Sequence, residues 1–260
     1  MIRSIKHLRG YDIAAKDGEL GDVHDIFFDD HSWNARYLIV DTGNWLPGRR
    51  VMVSPQAIAD IDGDEKKLAL NLTKDEIKHS PGIEADAPVS RQNEVALADH
   101  FRWPRYWEEY PSGMGMVPMI PHLQHQAAGS EPRALDDPRA IEEGAIPQGD
   151  PNLRSATEVE GYHVAARDGD IGHIDDLLFD DSDWTLRFLV VDTKNWWPGK
   201  KVLVAPAWTR GIDWSEQKLH VATERETIKQ APEYESGMEI DQKLERRIFQ
   251  HYGRTPQAAE

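Results

Sequence analysis

The feature that most restricts what this chain can fold into is a duplication. Gly10-Tyr11 recurs as Gly161-Tyr162, and Asp17-Gly18 as Asp168-Gly169. The stretch Asp41-Thr42-Gly43-Asn44-Trp45-Leu46-Pro47-Gly48 recurs as Asp192-Thr193-Lys194-Asn195-Trp196-Trp197-Pro198-Gly199. The offset is 151 positions throughout, without a gap. Between residues 10 and 83 about 32 of 74 pairs are identical, far above chance for a repeat search. The match fades toward His100-Phe101, which face His251-Tyr252. Solenoid repeats run to roughly 20–50 residues, so this is a longer, domain-sized unit used twice.

Within a repeat the apolar spacing has period two, which predicts strands. Tyr11–Ala15 leads into a Lys16-Asp17-Gly18 turn, and Leu20–Phe28 ends at Asp29-Asp30-His31-Ser32. Ala35–Val40 is rich in aromatic and β-branched residues, as strands are. Arg50–Val53 and Lys67–Leu70 follow the Asn44–Gly48 and Asp62-Gly63-Asp64 turns. Asp-Gly and Pro-Gly pairs suit tight turns because they tolerate or pre-set turn dihedrals. Short strands between tight turns predict a small closed β-barrel. Helices should follow it. Thr73-Lys74-Asp75-Glu76 has the form of a capping box, and Thr223-Glu224-Arg225-Glu226 repeats it one residue out of register. Ser90 and Asp241 stand where an N-cap would open a helix ending near His100 and His251. The expected fold is mainly β: two small β-barrels in tandem, each followed by one or two short α-helices, joined by a Pro-rich linker. The expected domains are residues 1–101, a linker at 102–155 and residues 156–260. Half of the 16 prolines fall in that linker. Its first part carries Trp103, Tyr106, Trp107, Tyr110, Met114, Met116 and Met119, a content that suggests docking rather than full disorder.

Composition removes several function classes. With no cysteine there are no disulfides, thiolate metal sites or cysteine nucleophiles. A net charge of −16, with neither half basic, repels nucleic acid and anionic membranes. No apolar run reaches about 18 residues, so no transmembrane helix is expected. The opening residues lack the apolar core of a secretory signal, and the expected location is the cytoplasm.

Catalytic motifs are missing: there is no nucleophile elbow, phosphate-cradling loop, dinucleotide fingerprint or His-Glu-x-x-His. No catalytic residue, metal site or cofactor is therefore assigned. Asp25, Asp29 and Asp41 can serve as paired carboxylates or, alternatively, bond backbone amides or Arg36. The acidic turns Asp29-Asp30-His31-Ser32 and Asp180-Asp181-Ser182-Asp183 can offer oxygen ligands to a divalent cation, or simply close turns. His122 and His125 would share a helix face, but Pro118 and Pro121 keep that segment from forming a stable helix. The sharpest surface candidates are Trp45, Leu46, Arg49 and Arg50, matched by Trp196, Trp197, Lys200 and Lys201. Aromatic side chains beside cations on a rigid turn mark binding hot spots. The alternative is that each Trp plugs the end of its own barrel while the cations are solvated.

The run Gly18-x-x-Gly21-x-Val23-x-Asp25-x-x-Phe28-Asp29-Asp30, with Trp33 and Arg36–Thr42, and its copy from Gly169 through Asp176, Phe179, Trp184 and Arg187–Thr193, resembles the PRC-barrel family. That family is named for the cytoplasmic domain of the photosynthetic reaction-centre H subunit and includes the C-terminal domain of the ribosome-maturation factor RimM. The chain looks most like a bacterial protein with two such barrels. The resemblance covers about three-fifths of the sequence and implies a small barrel that serves as a docking module, with no catalytic residues to carry over. The expected function is a non-catalytic adaptor that binds a protein partner, with homo-oligomers possible. Two alternatives are a divalent-cation-binding or stress-related protein using the acidic turns, and an enzyme with a cleft between the barrels near His24 or Asp25.

Overall fold

The computed structural model describes residues 1–82, 89–108, 152–193 and 199–255. The chain divides into two compact units, one made of Met1–Ala87 with Pro151–Glu260 and the other of Pro88–Asp150. The first holds both repeats.

Each repeat contributes one sheet, and the two sheets share a strand order. In the first repeat β2 (Asp12–Ala15) pairs with the long β3 (Gly18–Asp29) through the Asp17-Gly18 turn. β3 pairs with β4 (Asn34–Asp41), and β4 with β5 (Arg50–Val53), all antiparallel. β6 (Ile58–Asp62) forms a hairpin with β7 (Lys67–Leu70), which returns to lie parallel to β2. The order is β5-β4-β3-β2-β7-β6. In the second repeat β9 (His163–Ala166), β10 (Gly169–Asp180), β11 (Leu186–Asp192), β12 (Lys201–Val204), β13 (Thr209–Asp213) and β14 (Lys218–Val221) repeat that path, and β15 (Glu233–Tyr234) adds to β12.

The expectation of closed barrels needs correction, because neither sheet closes. β5 and β6, the end strands of the first sheet, and β12 and β13 in the second are consecutive in the chain yet do not pair. Between them lie the single 3-10 turns Pro55–Ala57 and Pro206–Trp208. Proline has no N–H to donate and the turn takes the chain out of the ladder, so the hydrogen-bonded path stops there. Alternation along the strands places Ile13, Ile26, Phe28, Leu38, Met52 and Leu68 in one core, and Val164, Leu177, Phe179, Leu189, Leu203 and Leu219 in its counterpart, all essentially inaccessible.

The helices follow their caps. The Thr73 capping box forms and opens α2 (Lys74–Lys78). In the second repeat the cap of α5 (Arg225–Gln230) is Glu224, which makes no side-chain cap, so the expected Thr223 box is absent. In both repeats an aspartate from the first turn also bonds the helix start. Asp17 accepts the Lys74 amide at 2.7 Å and Asp168 the Arg225 amide at 2.8 Å. Asp241 caps α6 (Gln242–His251) as expected, and Ile248 is buried. Phe249 and Tyr252 lie against Trp208, with ring centroids at 5.1 and 4.4 Å. The buried Tyr252 hydroxyl has no hydrogen-bond partner among the described residues, and burial pushes its pKa up. Tyr252→Phe therefore removes an unsatisfied polar atom without changing the packing. It is expected to stabilise the protein by about 1 kcal/mol, read as a higher Tm in calorimetry; a lower Tm would contradict this.

In the second unit, Ser90 caps α3 (Arg91–Phe101), as expected. Trp103 stacks on Phe101 at 4.3 Å, Tyr106 donates to Glu94 at 2.6 Å, and the Arg91 guanidinium sits 4.4 Å from the Trp107 ring. Tyr110, Met114, Met116 and Met119 lie outside the described residues.

Candidate docking site

Each repeat opens with an arm that joins the other repeat's sheet. β1 (Ile2–Ser4) pairs with β10, setting Ile2, Arg3 and Ser4 opposite Asp180, Phe179 and Leu178. β8 (Leu153–Ser155) pairs with β3, setting Leu153, Arg154 and Ser155 opposite Asp29, Phe28 and Phe27. These registers are the same under the repeat offset, so the exchange is reciprocal. Residues 153–155, assigned to the linker on composition, are thus a strand. Short helices α1 (Ile5–Leu8) and α4 (Ala156–Val159) continue the arms and bury Ile5, Leu8, Ala156 and Val159.

Each arm is held by a serine, an arginine and two aspartates. Ser4 donates to Asp176 Oδ2 at 2.5 Å, and Ser155 to Asp25 Oδ2 at 2.5 Å. The same serines cap α1 and α4 by accepting the amides of His7 and Glu158. Asp176 also accepts the Lys6 amide, and Asp25 the Thr157 amide and hydroxyl. Arg3 pairs with Asp181 at 2.6 Å and Arg154 with Asp30 at 2.9 Å. Burial pushes the Asp176 carboxyl above the usual carboxylate range, although Ser4 and the backbone amides pull it down.

The exchange centres on Asn34 and Thr185, equivalent positions that bridge each other, with the Thr185 hydroxyl donating to Asn34 Oδ1 at 2.8 Å. Beside them Ala35 donates its amide to Trp184 at 2.8 Å, and Leu186 to Trp33 at 2.7 Å. The two repeats are therefore related by a local pseudo-twofold. Trp33 and Trp184 both hold left-handed backbone, φ 58° and 59°, which is strained for a bulky residue. Stacking on Phe28 and Phe179 and the cross-repeat amide bonds keep them there.

A cleft of about 360 Å³ opens along this seam, lined by Asp30, His31 and Trp33 on one side and by Thr209, Gly211 and Trp214 on the other. Trp33 and Trp214 are half-exposed. Each has one face backed: Trp33 by Phe28, and Trp214 by the Arg154 guanidinium at 3.9 Å. Asp30 pins that guanidinium, and Tyr162 meets the Trp214 ring edge-on. Burial, with Glu158 accepting its hydroxyl, pushes Tyr162 up to about 12, so it stays protonated. Here the pseudo-symmetry fails. Gly63 stands where the second repeat has Trp214, Ser182 where the first has His31, and Asp60 where the second has Gly211.

The loop residues singled out in the sequence have other partners. Thr42 closes the first loop by donating to Leu46 and Arg49 carbonyls at 2.8 and 2.6 Å. Trp45 and Leu46 are half-exposed, and the Lys74 ammonium lies 4.7 Å from the Trp45 ring. Arg49 donates to the Lys78 carbonyl at 2.7 Å and to that of Ser80, closing the end of α2. Lys200 does the same after α5 by donating to Ala231 at 2.7 Å. Lys201 bonds Asp175 at 2.8 Å and Ser236 at 2.9 Å, and Arg50 is half-buried. Arg49, Lys200 and Lys201 thus satisfy helix ends and a carboxylate and are not simply solvated. Trp196 and Trp197 lie outside the described residues.

The acidic turns bond their own backbone. Asp29 accepts the amides of His31 and Ser32, and Asp180 that of Ser182. Asp183 pairs with Arg187 at 2.7 Å. Asp41 accepts the Gly43 amide. His24 is exposed and Asp25 is committed to the arm, and neither lines the cleft. Among the described residues no group of three or more His, Asp or Glu is set to hold a metal ion, and no helix is long and apolar enough to cross a membrane. His122 and His125 lie outside the described residues. Set against known proteins, the chain matches no family model and no curated sequence.

Proposed function

We propose that this chain is a non-catalytic adaptor made of two PRC-type domains in tandem, which binds a protein partner in the cleft at their seam. One observation carries the reading: two indoles, each backed on one face and half-exposed on the other, line a cleft at the seam of a pseudo-symmetric body. The position equivalent to Trp214 is Gly63. A rigid aromatic surface with low ordering cost is what interface hot spots use. The volume of about 360 Å³ suits one or two side chains of a partner loop. The buried carboxylates Asp25 and Asp176 are spent on holding the arms.

Trp214→Gly tests this, because the fold already accepts glycine at the equivalent Gly63. Peptides selected by phage display on the intact chain should lose at least tenfold in affinity toward this variant and keep it toward Trp45→Ala. Peptides that bind Trp214→Gly as well as the parent, or that depend on Trp45 instead, would sink the cleft as the docking site.

A further inference from the structure

The seam contacts fall into two classes. Those of Ser4, Ser155, Arg3 and Arg154 with Asp176, Asp25, Asp181 and Asp30 are the same in both directions. They would form equally well if a repeat met a copy of itself. Others differ between the two directions, and two of these pair opposite charges. Arg9 and Glu160 are equivalent positions, and the pseudo-twofold brings them together, with Arg9 Nη2 at 2.5 and 2.7 Å from the two Glu160 oxygens. Lys6 bonds Asp175 at 3.2 Å, whereas the equivalents of these two are Thr157 and His24. If the first repeat paired with its own kind, Arg9 would face Arg9 and Lys6 would face His24. If the second did so, Glu160 would face Glu160 and Thr157 would face Asp175. Arg9, Glu160 and Asp175 are mostly buried and only Lys6 is well exposed, so solvent screens these charges only in part.

We propose that the seam is a charge-coded interaction surface. Each repeat accepts the opposite repeat, from its own chain or from a second copy, and is barred from pairing with its own kind. The arm-and-aspartate contacts supply the attachment and the Arg9–Glu160 pair supplies the choice. A like-charge juxtaposition at an interface is the usual means of such discrimination.

The code can be read with intact chains. Arg9→Glu alone sets two carboxylates against each other across the seam, and Glu160→Arg alone sets two guanidinium groups against each other. Within each of these variants the intramolecular seam is repulsive. Mixed together, each repeat of one variant is complementary to the opposite repeat of the other, so a reciprocally exchanged pair satisfies both seams. Intramolecular pairing has an effective concentration of about 1 mM. A tenfold penalty at each of two seams lowers the threshold for exchange to about 10 µM. The two variants, one of them isotopically labelled, are unfolded and refolded together at about 100 µM and examined by native mass spectrometry. A mixed species with one copy of each chain is expected in the variant mixture, and at least tenfold less of it in a labelled and unlabelled wild-type mixture. The double reversal Arg9→Glu/Glu160→Arg should melt with the wild type, above both single variants. Equal mixing in both experiments overturns the proposal, as does a double reversal that melts no higher than the single variants.

Discussion

Replacing Gly21 by alanine is expected to destabilise the protein by about 3–5 kcal/mol, a large part of the roughly 5–15 kcal/mol that holds a typical domain together. The cause is backbone against backbone. At Gly21 strand β3 crosses the end of β4 so closely that a Cβ would lie 1.9 Å from the Asp41 carbonyl oxygen and 2.9 Å from its carbon. The atoms in the way belong to a strand end that Thr42 ties to the following loop, so no flexible side chain can move aside. Gly21 also has φ 149°, which an L residue rarely adopts. Gly172 repeats the contact, with a Cβ 2.0 Å from the Asp192 oxygen. Gly21→Ala and Gly172→Ala should each lower the urea midpoint, and Tm should fall by roughly 10 °C or more. A Tm within two or three degrees of the parent would show that the crossing relaxes easily and that the close approach is not a structural requirement.

Much of the fold was legible because it is local. Period-two alternation marked β2, β3, β4, β5 and β7, and Asp17-Gly18 and Asp62-Gly63 marked two of their turns. Thr73, Ser90 and Asp241 announced helix starts because capping needs only a side-chain oxygen and an amide two or three residues on. The arms were not legible. Three residues are too few to show a period, and the strands that receive Ile2–Ser4 and Leu153–Ser155 lie in the other repeat. A signal was nevertheless present: Arg3-Ser4 and Arg154-Ser155 keep the repeat offset outside the region of obvious match. Asp25, with Asp29 or Asp41, read as a possible paired carboxylate because sequence cannot say what will bond it. Closure of the sheets was expected from short strands between tight turns, and the 3-10 turns at Pro55 and Pro206 interrupt the ladder instead. A cleft between the repeats was expected near His24 or Asp25, but its actual lining was not legible, for a different reason. A duplication draws attention to what matches, whereas the cleft is made by mismatches: Trp214 against Gly63 and His31 against Ser182.

Removing the acceptor that anchors the N-terminal arm should cost nearly as much as the glycine clash. Asp176→Ala leaves the Ser4 hydroxyl and the amides of Lys6 and Leu177 without their acceptor. Two or more buried donors stranded at about 1–3 kcal/mol each predict a loss of roughly 3–4 kcal/mol. Asp176→Asn separates the hydrogen bonds from the charge, since its Oδ1 still accepts both amides and its Nδ2 can donate to Ser4. The sign of its pH dependence follows from the raised carboxyl of the parent, whose main cause is burial. The folded protein holds that proton more tightly than the unfolded chain does. Wild-type stability therefore gains from this group as pH falls from neutral through its folded value to the unfolded value near 4. Glu160, raised by burial against the pull of Arg9, adds to the gain. Asp175 acts in the opposite sense: burial raises it, but Lys201 and Lys6 outweigh that and hold it low, so its contribution is lost only below the unfolded value. Because Asp176→Asn cannot take up the proton, its unfolding free energy relative to the wild type should decrease steadily as pH falls from about 7 to about 4. Urea unfolding across that range measures the difference directly. A difference that stays constant with pH would show that the carboxylate holding the arm does not titrate there, and that the arm is anchored by hydrogen bonding alone.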